Sequence, residues 1–281
     1  MFIEGCQNQW DELPRPDMPI VVGLDGGYLR SWENKKKHFE VIAGKSIPTD
    51  KPDKFFAFVD TYEPSKPKRR LFEPLKCQGM QFNQQIEFLS DGATNLQELQ
   101  RYLNPHSEYY LDWFHITMRI TVLQQYLKGM VKVDEETAEE YKEKIEKIKW
   151  HLWHGNTIKA MSYLDDLDYV NDIENDYAHL DSFIKHVKDF VTYITNNEHY
   201  ITNYGERQRN GEIYTSTFAE STINEVVARR FCKKQQMQWS KRGAHLMLQA
   251  RTKVLNGDLV DCFKKWYPNL KIEQEDVKEA A

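Results

Sequence analysis

Short apolar runs and longer periodic stretches alternate along the first half of the chain. Residues 20–24, 39–43 and 55–59 are mostly apolar and largely β-branched or aromatic, with Gly, Pro and charged residues between them. Runs this short, bounded by turn formers, predict buried strands joined by hairpin connections. Ile86–Ser90 repeats the figure. In Thr94–Leu103 the period changes, because Leu96, Leu99 and Leu103 recur at helical spacing. The sequence "YYLDW" predicts a short fifth strand, followed by a helix over about 114–127. Two stretches predict no regular structure: 63–74, which is rich in proline, and 197–216, which is polar and turn-rich.

From 134 to 196 charged and apolar residues alternate at helical spacing, broken only by "HGN" at 154–156. Two more helices are predicted over 218–231 and 240–255, the second stopped by "NGD". The simplest account is a βββαβα core of the α/β or α+β class interrupted by an all-helical block. The expected divisions are an N-terminal arm (1–18), a first core part (19–130), the helical insertion (131–210), a second core part (211–258) and a C-terminal tail (259–281).

Composition narrows the class. At 281 residues, with 40% hydrophobic and 13% aromatic residues and a mean hydropathy of −0.72, a soluble protein with a full core is expected. No apolar run approaches the roughly 18 residues of a membrane span. The opening "MFIEGCQNQWDELPRP" lacks the basic and apolar regions of a signal peptide. Cys6, Cys77, Cys232 and Cys262 are widely separated, which fits reduced thiols in the cytoplasm. The net charge of −5 hides a strong asymmetry. Residues 134–189 hold fifteen acids against seven lysines, whereas 221–256 hold eight Lys and Arg against Glu225 alone. Such a local basic field suits a polyanion, although a solvated helix surface has the same composition.

The chemistry that stands out is carboxylate. "VVGLDGG" closes an apolar run on Asp25, and "IEFLSDGATN" closes another on Asp91. Strand ends of an open sheet project side chains into a crevice, and neighbouring strands lie about 4.8 Å apart. Two carboxylates so placed repel unless a hard cation such as Mg²⁺ joins them. Glycines beside them would leave the approach open. Asp-Gly is also ordinary turn chemistry, which weakens either pair taken alone. A third acid, Glu220, falls within the inward stripe of Ala219, Ile223, Val226 and Val227, where an unpartnered Glu is rare. Glu225 falls on the opposite side and is expected at the surface.

Three motifs, "GLDGGYLR", "LSDGATNL" and "TFAESTINEVVARRFCKKQQMQWSKRGAHLMLQART", carry these acids in order. A fourth, "DWFH", contains Asp112 and His115. Read from the residues alone, Asp112 is a helix N-cap and His115 lies in the first turn. Together, across 19–258, the motifs resemble the DDE transposases of bacterial insertion sequences. The likeness is to the Kra-type group related to the Mutator-like superfamily, whose C/D-x2-H element Asp112 and His115 match.

The resemblance implies an RNase H-like core: a five-stranded mixed sheet of order 3-2-1-4-5, flanked by helices and interrupted by a helical insertion. It implies that Asp25, Asp91 and Glu220 bind two Mg²⁺ ions about 3.5–4 Å apart, with Mn²⁺ able to substitute. One ion would activate water or a DNA 3′-hydroxyl, and the other would stabilise the leaving oxygen. The activity implied is cleavage of transposon-end DNA and strand transfer into target DNA. The implied partners are double-stranded DNA and further copies of the chain, as a homodimer or higher oligomer, in the cytoplasm and on the nucleoid. Arg229, Arg230, Lys233, Lys234, Lys241 and Arg242 would hold phosphates, in a salt-sensitive contact. Trp239 would stack on an unpaired base, or else pack in the core. Ser216 and Val227 occupy positions where some related groups carry Tyr and a basic residue. The alternatives are a silent or truncated remnant that only binds DNA, and another RNase H-like nuclease.

Overall fold

The apolar runs pair into one sheet in the order β3-β2-β1-β4-β5, the expected order for an α/β fold. β1 (Ile20–Arg30), β2 (His38–Ile47) and β3 (Lys54–Val59) form an antiparallel meander. β4 (Ile86–Ser90) lies parallel to β1, and β5 (Glu108–Leu111) lies parallel to β4. The computed structural model describes residues 14, 20–49, 51–62, 67–81, 83–103, 107–168, 177–228, 231 and 237–269. Most of the 1–18 arm and residues 270–281 therefore lie outside the described residues.

Helices cover both faces. α1 (Pro67–Cys77) and α2 (Thr94–Leu103) bury Leu71, Leu75, Leu96, Leu99 and Leu103 against Ile20, Val22, Leu24, Phe58 and Phe88. α3 (Trp113–Met130), α4 (Glu135–Trp153), α5 (Thr157–Asp168), α6 (Leu180–Asn197) and α7 (Tyr204–Arg209) share a separate apolar cluster. α8 (Thr217–Thr222), continued by a π-helical stretch (Ile223–Ala228), and α9 (Lys241–Leu255) cover the second face of the sheet. Here Val226, Val227, Ala244 and Leu248 meet Leu29, Val41, Ala43 and Val59. α10 (Leu259–Trp266) follows, with no buried residue.

Several elements differ from the sequence pattern for physical reasons. The 63–74 stretch is not irregular throughout, because α1 begins on Pro67, where no amide partner is needed, and keeps Pro74 for its last turn. The 197–216 stretch holds a 3₁₀ turn (Glu198–Tyr200) and α7, which is capped by Asn203 Oδ1 accepting from Glu206 N at 3.1 Å. The 259–281 tail opens with a helix. No helix among the described residues is long and apolar enough to cross a membrane.

The helical cluster is tied to the sheet by polar contacts as well as packing. Tyr204 donates its hydroxyl to Leu111 O at 2.7 Å. Arg207, 6% exposed, donates to Glu87 Oε2 on β4 at 2.6 Å and to Ile213 O at 3.1 Å. Burial pushes the Glu87 carboxyl up, and Arg207 opposes that. Removing one member of a buried ion pair strands the other. Arg207→Met is expected to cost about 3 kcal/mol by urea denaturation at neutral pH, and adding Glu87→Gln to recover much of that loss.

Candidate functional site

β1 loses its neighbours at different points along its two edges. Parallel pairing with β4 ends at Gly23–Leu89, whereas antiparallel pairing with β2 runs on to Arg30–His38. The strand therefore does not stop at Asp25. Its β4 side opens there, at the switch between oppositely connected strands, beside the Asp91 that follows Ser90.

Gly23 determines how closely α8 approaches. A Cβ at Gly23 would lie 2.6 Å from Phe218 Cζ and 2.9 Å from Ala219 Cβ. The bare backbone lets α8 rest on β1, which carries Glu220 toward Asp25 two residues further along the same strand face. Gly27 plays no such part, since a Cβ there would meet only Ile223 at 3.9 Å.

Asp25 Oδ1 accepts from Gly26 N at 2.8 Å. Burial pushes the Asp25 carboxyl from 3.8 up to about 6, and the charges of Asp91 and Glu220 push the same way. The His115 charge and the Gly26 amide oppose them. Three carboxylates from three elements thus stand in one electrostatic neighbourhood, with a histidine on their flank.

Each is held from a different side. Asp91 Oδ1 accepts from Ala93 N at 2.9 Å, an Asx turn, and Asp91 O accepts from the Tyr193 hydroxyl at 3.0 Å. Gly92 follows at φ +91°, with Asn197 of α6 against it. Asp112 is fully buried and does two jobs. Its Oδ1 caps α3 by accepting from Phe114 N at 3.0 Å and also accepts from Ser216 N at 2.8 Å. Its Oδ2 accepts from the Ser216 hydroxyl. Asp112 therefore fixes the residue that starts α8, four before Glu220. His115 Nε2 lies 3.7 Å from Asp112 Oδ2 and is buried without a hydrogen-bond partner. The π turn after α8 is satisfied by Arg251, which donates to Val226 O at 2.9 Å and to Glu225 O at 2.5 Å. That wider turn leaves Glu225 half-buried, not on the surface.

One acid was not anticipated. Glu40, opposite Tyr28 on β2, accepts from Asn95 Nδ2 at 3.1 Å. Burial pushes its carboxyl up, Asn95 opposes this, and the charges of Asp60 and Asp91 add to the rise. Only strand alternation in β2 carried any signal of it.

The basic residues are only partly in view. Arg229, Arg230, Lys233 and Lys234 lie outside the described residues. Lys241 and Arg242 open α9, which is capped by Ser240 Oγ accepting from Gly243 N at 3.1 Å. Trp239 is built into the sheet end: its N donates to Arg30 O and its O accepts from Trp32 N, both at 2.9 Å. Its ring lies 4.7 Å from that of Phe231.

As placed, no three His, Cys, Asp or Glu side chains among the described residues converge to hold an ion. In donor chemistry the set fits a hard divalent cation, which prefers carboxylate oxygen and would offset the burial and the neighbouring charges that raise Asp25. No protein-family model matches the chain, and no curated protein matches it.

Two outcomes follow from this geometry. Gly23→Val is expected to destabilise the protein by about 2 kcal/mol through overpacking against α8, while Gly27→Ala stays within about 1 kcal/mol, both by chemical denaturation. Because the folded Asp25 pKa is raised, its stabilising contribution is complete below about pH 4 and is lost as pH rises through about 6. In chelator, Asp25→Asn should therefore be more stable than wild type at pH 8, by about 2 kcal/mol, and not at pH 4.

Proposed function

We propose that the chain is a DDE-type transposase with an RNase H-like core, cutting transposon-end DNA and transferring the strand into target DNA. The observation that supports this most is geometric: Asp25 and Asp91 lie where β1 and β4 part in a sheet ordered 3-2-1-4-5, and α8, packed on Gly23, carries Glu220 to the same face as Asp25. In this reading Asp25, Asp91 and Glu220 hold Mg²⁺, or Mn²⁺ in its place. When bound, two such ions supply Lewis-acid stabilisation of the attacking and leaving oxygens of a phosphodiester displacement.

The chain's own residues supply the rest. The Asp91 turn, clamped by Tyr193 and Asn197, sets one carboxylate. The Asp112–Ser216 tie sets the start of α8 and hence Glu220. Lys241 and Arg242, with Arg229, Arg230, Lys233 and Lys234, neutralise DNA phosphates. Two DNA ends must be served, so the working unit is a homodimer or higher assembly.

The test is cleavage and joining of duplex DNA with a free 3′-hydroxyl end, in Mg²⁺. Wild type should do both, and Asp25→Asn, Asp91→Asn and Glu220→Gln should each lower the rate at least about 100-fold, as loss of several kcal/mol of transition-state stabilisation requires. Cutting of RNA–DNA hybrids without strand transfer would make it another RNase H-like nuclease. DNA binding with neither reaction would make it a binding remnant.

A further inference from the structure

The end of the β1–β2 hairpin carries a surface that the acid site does not use. Along β1, Ile20, Val22 and Leu24 are buried beneath α1 and α2. Alternation sends Gly26, Tyr28 and Arg30 to the same face, beyond the reach of those helices. Tyr28 is 68% exposed, Trp32 is 67% exposed, and Arg30 between them is exposed as well. Tyr28 and Arg30 are one two-residue strand step apart, about 6.8 Å, and Trp32 lies in the bend just past the strand end, its N donating to Trp239 O.

The row is rigid. On one side Arg30 pairs with His38, and Ser31 N donates to Lys37 O at 3.0 Å. On the other, Ser31 bridges to Trp239, and Trp32 N donates to Trp239 O. The turn is fastened by Lys36 N donating to Asn34 Oδ1 at 3.1 Å. Its field is cationic: Arg30, Lys35, Lys36, Lys37 and His38 are all exposed, against Glu33 and the half-buried Glu40. A cleft of about 420 Å³ beside the turn is lined by Lys37, His38 and Lys241 together with Glu33 and Glu40. Glu40 stands opposite Tyr28 on this face, while Asp25 alternates to the face beneath α8.

Exposed aromatic faces spaced by cations match unpaired nucleotides: the rings stack on bases, and the cations take the phosphates between them. A duplex keeps its bases stacked on one another and offers these rings no base face. We infer that Tyr28, Arg30 and Trp32 form a stacking track for a single-stranded segment of the DNA on which the acid site acts. The inference rests on the nucleic-acid reading of that site.

The test is binding of a fluorescein-labelled oligothymidylate in chelator, by anisotropy, so that no divalent metal contributes. The double variant Tyr28→Ala/Trp32→Ala should bind about 10- to 100-fold more weakly than wild type, as loss of one to two base stacks requires. Tyr28→Phe/Trp32→Phe should bind nearly as wild type does. Both side chains are exposed, and thermal unfolding checks that each variant folds. Equal affinity of wild type and the double Ala variant overturns the track, as does a wild type that does not bind the oligonucleotide. Loss of self-association with unchanged oligonucleotide binding also overturns it, and makes the face a subunit contact. Ring-dependent binding by a chain that never cuts DNA would uphold the track and sink the transposase reading. Cutting in Mg²⁺ without ring dependence would do the reverse.

Discussion

A mostly buried carboxylate is costly to ionise, first because it is removed from water and further because other carboxylate charges lie near it. Asp25 occupies that position, and the surrounding contacts keep the three acids together despite it. Gly23 admits α8 to the sheet surface. Asp112 ties the start of that helix through two hydrogen bonds from Ser216. Tyr193 and Asn197 hold the turn behind Asp91. These supports come from separate parts of the chain, and none of them relieves the repulsion. The backbones that carry Asp25, Asp91 and Glu220 are thus fixed from independent directions.

The helical block takes part in this arrangement. Tyr193 and Asn197 belong to α6, and Arg207 of α7 reaches Glu87 on the same strand that delivers Asp91. α3 carries His115 and shares the apolar cluster of α4–α7, so the histidine flanking Asp25 is mounted on the helical side of the molecule. The helical block and β4 thus hold the Asp91 turn through shared polar contacts.

The strands were legible because short β-branched runs bounded by Gly and Pro leave few alternatives. The crossing order of the sheet was not in those runs and came only through family resemblance. Asp25 and Asp91 could be found because they interrupt apolar runs, and Glu220 because it lies on an inward stripe. Other features depend on partners distant in sequence. β1 continues through Gly26 and Gly27 because β2 pairs with them, and no local preference announces that. The π turn after α8 is stabilised by Arg251, 25 residues beyond Val226, so a uniform 100° per residue misplaced Glu225. Asp112 was readable as a cap, but its second partner, Ser216, is 104 residues away. Glu40 looked like any strand acid, and the residue that holds it, Asn95, is 55 positions further on.

Calorimetric titration of Mn²⁺ into wild type and into Asp25→Ala, Asp91→Ala, Glu220→Ala and Glu225→Ala, with a short DNA duplex present, tests the central claim most directly. If the three carboxylates form one cation site, wild type and Glu225→Ala bind Mn²⁺ and each of the other three loses binding. A wild type that does not bind, or a Glu220→Ala variant that binds as wild type does, would contradict the account.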